Sequence, residues 1–308
     1  MSIQIVDLVK RYENNLVLDH FNLRIAPGEF IGLLGSDGAG KSTLIRCLLG
    51  LEDFDKGEIT VFDRPLVKND IERKQKMGFV PQEISILNAL TVYENIDYFC
   101  SLYIKEKEKR RQLTEQILKE LALDDVVKLY PGKLDYHYLR KLNMACGIVQ
   151  RPEVIIVDEP FNGCESETKE CMIHALRKLN EEGSTIIFAS KNIEEMGLFC
   201  KRICIIDKGK VVVTATVEEL KELISVGEKV TIEVFRMDMQ DVEEISKMKG
   251  VVYANYLGTE LVVKSEKRRN NLANILHYLE NNHIPFGKVY SETPMLRDVF
   301  WEITGREL

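Results

Sequence analysis

Short apolar runs without polar interruption mark the chain's interior strands. Phe30-Ile31-Gly32-Leu33-Leu34 and Val154-Ile155-Ile156-Val157 carry no polar side chain. A strand covered on both faces reads this way, whereas a strand with one wet face alternates. Both runs are therefore expected as inner strands of a parallel sheet. Ile3-Gln4-Ile5-Val6 and Gly57-Glu58-Ile59-Thr60-Val61 are strand-like and suggest a flanking antiparallel sheet. From about Thr91 to Gln150 the period changes to that of a helix, as in Ile117, Leu118, Leu121 and Leu123 with charges between them. Ile203-Cys204-Ile205-Ile206 and Val211-Val212-Val213 form a hairpin turned at Lys208-Gly209. A short helix, Val217 to Leu223, leads to a boundary near Val226-Gly227.

Past that boundary the pattern starts again. Val230 to Phe235 reads as a strand, Asp241 to Met248 as a helix, and Val251 to Tyr256 and Glu260 to Lys264 as paired strands. Asn270 to Asn281 is a second helix and Phe286 to Tyr290 a last strand. This β-α-β-β-α-β order predicts a small ferredoxin-like α+β sandwich over 226–308, after a larger α/β domain over 1–225 whose helical subdomain covers about 90–150. Two domains also suit a chain of 308 residues.

Chemistry enters where the first buried strand ends. Gly35-Ser36-Asp37-Gly38-Ala39-Gly40-Lys41-Ser42-Thr43 satisfies G-x-x-x-x-G-K-[ST]. The glycines let the backbone wrap a phosphate chain with N–H groups inward. Lys41 supplies a cation to the β- and γ-phosphates and Ser42 a hydroxyl to Mg²⁺. A helix from Lys41 to about Leu49 presents the positive end of its dipole to the anion. These residues predict ATP or GTP as ligand. At the end of the second buried strand stand Asp158 and Glu159, where ligands bind in an open α/β sheet. Asp158 is placed to hold Mg²⁺ through water, and Glu159 to act as general base on the attacking water.

Composition narrows the class further. The net charge of −7 argues against a nucleic-acid-binding face, and the mixed-sign run Lys105 to Arg111 reads as a solvated surface beside an amphipathic helix. No apolar run approaches the ~18–20 residues needed to span a bilayer. The seven cysteines are scattered without metal spacing and are expected as buried, reduced thiols of a cytosolic protein.

With these motifs in place, the chain resembles the ATP-binding subunit of ABC transporters over essentially its whole length. The fold implied is a P-loop NTPase, a RecA-like core with antiparallel β and helical subdomains. Tyr12 stands where the family's adenine-stacking aromatic lies. Gln82, in Phe79-Val80-Pro81-Gln82-Glu83, matches the Q-loop glutamine, which touches Mg²⁺ or the lytic water and opens the helical subdomain. Thr91 with Glu94 forms a capping-box pattern. The tail from Thr293 to Arg306 resembles bacterial multidrug, antibiotic-immunity and sodium exporters of the ABC type-2 class, whose membrane subunits are separate chains. A packing helix is expected there, with Trp301 in a core or interface.

The likeness fails at two motifs. The signature segment, usually Leu-Ser-Gly-Gly-Gln, falls on Leu134-Asp135-Tyr136-His137-Tyr138. In the family it reaches across a dimer to the partner's γ-phosphate. Asp135 brings negative charge there, and Tyr136 and His137 bring side chains where close backbone approach is needed. Asp135 remains a good helix N-cap. The switch histidine is replaced by Lys191, a point charge that can still hold a γ-phosphate. The D-loop reads Asn162-Gly163-Cys164-Glu165.

The resemblance implies an exporter subunit that binds ATP and Mg²⁺, with Glu159, Gln82 and Lys191 as catalytic residues and Ser42, Gln82 and Asp158 at the metal. It would lie in the cytoplasm, peripheral on the inner face of the cell membrane. Separate transmembrane permease subunits are expected, with a homodimer or a heterodimer with a second ATP-binding subunit. Hydrolysis is expected to be weak or partner-dependent; the alternative is a regulatory pseudo-ATPase that binds ATP without efficient turnover. A soluble role on ribosomes or DNA is disfavoured by the acidic charge and the exporter-like tail.

Overall fold

The computed structural model describes residues 3–13, 15–68, 70–223, 226–267, 269–292 and 296–305. The chain divides after Val217 into two units.

The first unit opens with β1 (Ile3–Tyr12), β2 (Asn15–Ile25), β3 (Phe30–Leu34), α1 (Lys41–Leu48), β4 (Lys56–Val61) and β5 (Arg64–Pro65). It continues through α2 (Ile71–Gln75), β6 (Met77–Val80), α3 (Val92–Ser101), α4 (Lys107–Glu120), α5 (Tyr136–Ile148), β7 (Val154–Asp158) and α6 (Ser166–Glu181). It closes with β8 (Thr185–Ser190), α7 (Ile193–Phe199), β9 (Arg202–Asp207) and β10 (Lys210–Thr216). The larger sheet runs β10-β9-β3-β8-β7-β6 and is parallel except for the β10–β9 hairpin. Every residue of β3, β7 and β8 is buried, as uninterrupted apolar runs require.

A second, antiparallel sheet runs β2-β1-β4-β5. Both sheets share one core, in which Ile5, Phe21 and Ile59 meet Leu33, Ile156 and Ile187, with Leu44, Ile45 and Leu48 of α1 between. Each such side chain contributes about 1.5–3 kcal/mol on burial, so this core fixes the loops that leave its strands. One loop has an extra anchor. Phe161, just past β7, packs on Phe188 with centroids 5.0 Å apart and on Phe199 at 6.2 Å.

The helices α3 to α5 form the helical region expected near 90–150. The capping box at its start is present: Thr91 N–H donates to Glu94 Oε2 at 2.8 Å, and Glu94 N–H donates to Thr91 Oγ1 at 3.3 Å. Asp135 caps α5 by accepting from Tyr138 N–H at 2.9 Å. On α4, Arg110 pairs with Asp97 and Arg111 with Glu108, so its basic run is a solvated, paired face. All seven cysteines are free.

In the second unit, α8 (Val217–Leu223) is followed by β11 (Val226–Val234), α9 (Met239–Ser246), β12 (Val251–Tyr256), β13 (Glu260–Glu266), α10 (Leu272–Asn281), β14 (Phe286–Glu292) and α11 (Leu296–Thr304). The sheet order β12-β13-β11-β14, antiparallel throughout, is that of a ferredoxin-like sandwich. Val230, Ile232 and Val234 pack with Ile245, Ile275 and Leu279 of α9 and α10. The division lies upstream of the expected boundary because α8 is tied to this unit: Lys267 Nζ donates to the Glu222 carbonyl at 2.7 Å. Helix α9 starts at Met239, before the expected Asp241, because the Asp241 carboxylate accepts from Asp238 N–H at the helix entrance. On α11, Val299 and Phe300 are buried. The packing expected of Trp301, and residues Thr293 to Met295 and Arg306 of the tail, lie outside the described residues. Among the described residues no helix is long and apolar enough to cross a membrane.

Candidate functional site

Strand β3 delivers the glycine loop to the C-terminal edge of the parallel sheet. Gly40 is the N-cap of α1 at φ 105°, and a Cβ there would sit 3.0 Å from the Val17 carbonyl oxygen. Only glycine fits both demands. No side chain caps α1 and no acidic residue occupies its first turn, so its leading N–H groups remain available to an anion. A cleft of about 270 Å³ opens in front of them, lined by Val17, Ser36 to Thr43, Gln82, Glu159, Asn162 and Lys191.

Lys41 is buried at the cleft floor. Its Nζ donates to the carbonyls of Gly35 at 2.6 Å and Ser36 at 3.2 Å, and lies 3.6 Å from Glu159 Oε1. The cation is thus parked on its own loop, close to the carboxylate but beyond hydrogen-bond range. Asp158, at the end of β7, sits behind the loop. Burial raises its pKa, against the lowering effects of the Ser42 hydroxyl bonded to it and of Lys41. Burial also raises the pKa of Glu159; Lys41 opposes this and the Asp158 charge adds to it.

Two buried oxygens here, Asp158 Oδ1 and Glu159 Oε1, have no hydrogen-bond partner. Leaving such atoms unsatisfied costs about 1–3 kcal/mol each, which marks a place built for something absent from the bare chain. Ser42 and Asp158 fit a hydrated divalent cation that takes its other ligands from phosphate oxygens. No cluster of three or more acidic, histidine or cysteine ligands exists among the described residues. Glu159 is held in the left-handed region, φ 44°, a conformation disfavoured for a residue with a Cβ. Its N–H donates to the Ala189 carbonyl at 2.9 Å, and its carbonyl accepts from Arg140 at 2.8 Å.

The expected site residues do not all converge. Lys191, after β8, lines the cleft and reaches Asp37 Oδ2 of the glycine loop at 3.2 Å, closing an ion pair across the mouth. Gln82 also lines the cleft. Tyr12 does not. It ends β1, its hydroxyl bonds the Glu52 carboxylate, and Lys10 Nζ lies 4.9 Å from its ring centroid. Arg46 bridges the gap, 3.5 Å from both Tyr12 Oη and Thr43 Oγ1.

The altered signature segment is bonded within its own chain. The Tyr136 hydroxyl donates to the Asn162 carbonyl at 2.9 Å, and its ring stands 3.1 Å from where a Cβ on Gly163 would be. His137 Nε2 lies 3.5 Å from Glu165 Oε1.

Arg140 is the residue that sequence reasoning missed. It is buried, one turn into α5, and its guanidinium donates to three carbonyls: Pro160 at 2.9 Å, Gln82 at 2.5 Å and Glu159 at 2.8 Å. An arginine among Leu142, Met144 and Ala145 was the available signal.

Comparison with known proteins agrees with this geometry. The sequence profile of the ABC transporter family matches residues 18–162. A linearmycin resistance ATP-binding protein of Bacillus subtilis is 27% identical over 312 residues, 99% of each chain. A Nod factor export ATP-binding protein of Burkholderia pseudomallei is 28% identical, covering 100% of this chain and 99% of its own. A methionine import ATP-binding protein of Clostridium tetani is 31% identical over 71% of this chain and 70% of its own. Among solved structures, a dimeric ATP-binding cassette in a post-hydrolysis state with ADP and Pi is similar, with a TM-score of 0.64. It is 25% identical, over 70% of this chain and 98% of that one.

Proposed function

The chain belongs to the ABC transporter family as an ATP-binding cassette, and on that premise we propose that it is the energising subunit of an exporter. It binds ATP with Mg²⁺ and couples binding and hydrolysis to transport by separate transmembrane permease subunits. The observation that carries this reading is one cleft holding an anion cradle, a buried Lys41 and the Glu159 carboxylate, with the buried Asp158 carboxylate bonded to Ser42 of the same loop. The unpartnered Asp158 Oδ1, on a carboxylate bonded to Ser42, supports a place for Mg²⁺. Export is favoured over import because five relatives named for resistance or Nod factor export match 99–100% of this chain, second unit included, whereas the import relatives match 71% and one further export relative 68%.

Within the cleft, Lys41 meets the β- and γ-phosphates, Ser42 and Asp158 hold the hydrated cation, and Glu159 takes the proton of the attacking water. Gln82 orients that water, and Lys191 exchanges Asp37 for the γ-phosphate. Mg²⁺, when bound, neutralises charge between the β- and γ-phosphates. A second, mainly apolar cleft of about 390 Å³, with Phe79, Pro81, Phe99 and Tyr103 in its wall, adjoins Gln82 and suits a permease segment. The chain then sits in the cytoplasm against the inner face of the membrane, paired with a second cassette.

Turnover by this chain alone is weak on this reading, because Asp135, Tyr136 and His137 stand where a partner's γ-phosphate would need free N–H groups. A regulatory role without turnover is the second reading, favoured by Tyr136 bonding its own Asn162. Steady-state ATP hydrolysis by the purified chain, with Glu159→Gln as background and ATP binding measured in parallel, separates them. Turnover above background supports the ATPase. Binding without turnover, alone and with any second cassette, leaves the regulatory role. Absence of ATP binding would sink both.

A further inference from the structure

One face of α5 carries polar side chains where a packed helix should be apolar. Tyr136, Arg140 and Asn143 lie at i, i+4 and i+7, on a single stripe. Arg140 and Asn143 are each only 2% exposed. Every hydrogen bond these three side chains make to this region goes to one of two loops at the cleft. Asn143 Nδ2 donates to the Pro81 carbonyl at 3.1 Å, and its Oδ1 accepts from Ser85 N–H at 2.8 Å. Tyr136 holds Asn162, and Arg140 holds Gln82, Glu159 and Pro160. A single guanidinium therefore ties the loop of the water-orienting glutamine to the backbone of the catalytic base.

The choice of residue is informative. A buried cation ordinarily pairs with a carboxylate, yet Arg140 forms no ion pair among the described residues, and its charge is met by carbonyl dipoles. Lysine's single nitrogen does not offer the rigid planar fork with which Arg140 reaches three carbonyls through three different nitrogens. Glu159 needs such a hold because its backbone sits at φ 44°.

We infer that Arg140 is a positioning residue for the hydrolytic reaction: through three carbonyls it fixes Gln82 and Glu159 relative to each other and couples both to α5. Its bonds go to backbone carbonyls, and it is not part of the cleft lining. Displacement of the altered signature segment at the start of α5 is then transmitted in the same chain to the catalytic base. The inference rests on the ATPase reading for its kinetic consequence, but not for its structural one.

The test uses the full chain with Arg140→Gln and Arg140→Lys. Three measurements are made: amide hydrogen exchange, ATP affinity and ATP turnover. The amides of Ser85, Glu159, Asn162 and Cys164 are hydrogen-bonded and report on the two loops. In Arg140→Gln, exchange in peptides covering 81–85 and 159–164 should rise about tenfold or more, with β3 and β8 unchanged. ATP affinity should stay within about threefold, because the Lys41 loop is untouched, while kcat falls about tenfold or more at constant KM. Arg140→Lys should fall between, since it keeps the charge and one donor.

Unchanged exchange in both loops overturns the inference. So does a uniform rise across the sheet with ATP binding lost in step, which would make Arg140 a general fold stabiliser. If the wild-type chain shows no turnover, alone or with a second cassette, the ATPase reading fails while the exchange comparison still decides the role of Arg140.

Discussion

Replacing Lys41 by methionine keeps the volume of the side-chain stem and removes its charge, which makes the size of the effect calculable. At about 4 Å and an effective dielectric near 20, a unit charge on a phosphate is worth about 4 kcal/mol. Before it can serve ATP, Lys41 must release the Gly35 and Ser36 carbonyls, bonds of 2.6 and 3.2 Å. Each costs about 0.5–1.5 kcal/mol. The net loss is then about 1–3 kcal/mol, or roughly 5- to 150-fold in Kd.

The empty protein loses those two bonds, about 2 kcal/mol, which lowers Tm by about 4–8 °C for a unit of this size. Removing the cation also pushes the already raised Glu159 pKa further up, since Lys41 is what lowers it. Glu159→Gln in the same background should therefore recover part of the lost stability, a non-additivity expected of neighbours 3.6 Å apart. Fluorescence titration with ATP at fixed Mg²⁺, alongside thermal melts of the four variants, measures both. A Kd within about fivefold of wild type would refute the assignment of Lys41 to the phosphates, whatever the melts show.

Three further outcomes are expected. Asp135→Ser with Tyr136→Gly and His137→Gly should raise turnover if a homodimer forms, at about 1–3 kcal/mol in stability from the lost Tyr136 bond and added helical glycines; no gain counts against the reading of this segment. Asp37→Asn should free Lys191 from its partner at the mouth of the cleft and tighten ATP binding a few-fold at low salt, an effect that shrinks as salt screens the exposed pair; salt-independent binding would count against it. Turnover should lose its acid limb above the ordinary glutamate range, because Glu159 must be ionised and its pKa is raised. The folded state holds those protons more tightly than the unfolded state. The contribution of Asp158 and Glu159 to stability is therefore fullest below their unfolded pKa values and is lost as pH rises through the raised ones. Melts of Glu159→Gln should show a weaker fall with pH; an unchanged slope would contradict the burial argument.

The sheet was legible because burial on two faces leaves a plain trace. Phe30 to Leu34 and Val154 to Val157 have no polar side chain, and both became inner strands beside β8. The β-α-β-β-α-β order of the second unit was readable from period alone, and its strand order followed. The glycine loop was legible because phosphate binding demands backbone exposure that few sequences offer. Contacts of side chains with distant backbone left no such trace. Arg140 reaches residues 19, 20 and 58 positions away. Carbonyl acceptors carry no residue-type signature, so its partners were invisible. Tyr12 is a different case: its expected place beside adenine rests on the resemblance alone, and in the structure Glu52, Arg46 and Lys10 engage it outside the cleft lining.

The division between kept and altered motifs follows the site each residue would serve. In the family's dimer, a nucleotide lies between one chain's phosphate loop and the other chain's signature segment. The glycine loop, Gln82, Asp158 and Glu159 serve the nucleotide on this chain, and all have the expected residue types. Asp135, Tyr136 and His137 would serve the nucleotide on the partner, and they are altered. Their bonds point inward: Asp135 caps its own helix, and Tyr136 holds its own Asn162. Two identical copies would thus build two equally impaired sites. Pairing with a cassette that has an ordinary signature would complete the cleft on this chain and leave only the other one deficient. Lys191 is the exception that tests the pattern, since it is altered yet lies in this chain's own cleft. Its partner there is Asp37, a carboxylate within the phosphate loop itself, so the lysine offsets a charge that histidine, neutral through most of the physiological range, would leave facing the phosphates. On the proposed function, the pattern favours the heterodimer over the homodimer, with this chain contributing the working phosphate loop and Arg140, as inferred above, linking the signature helix to it in cis.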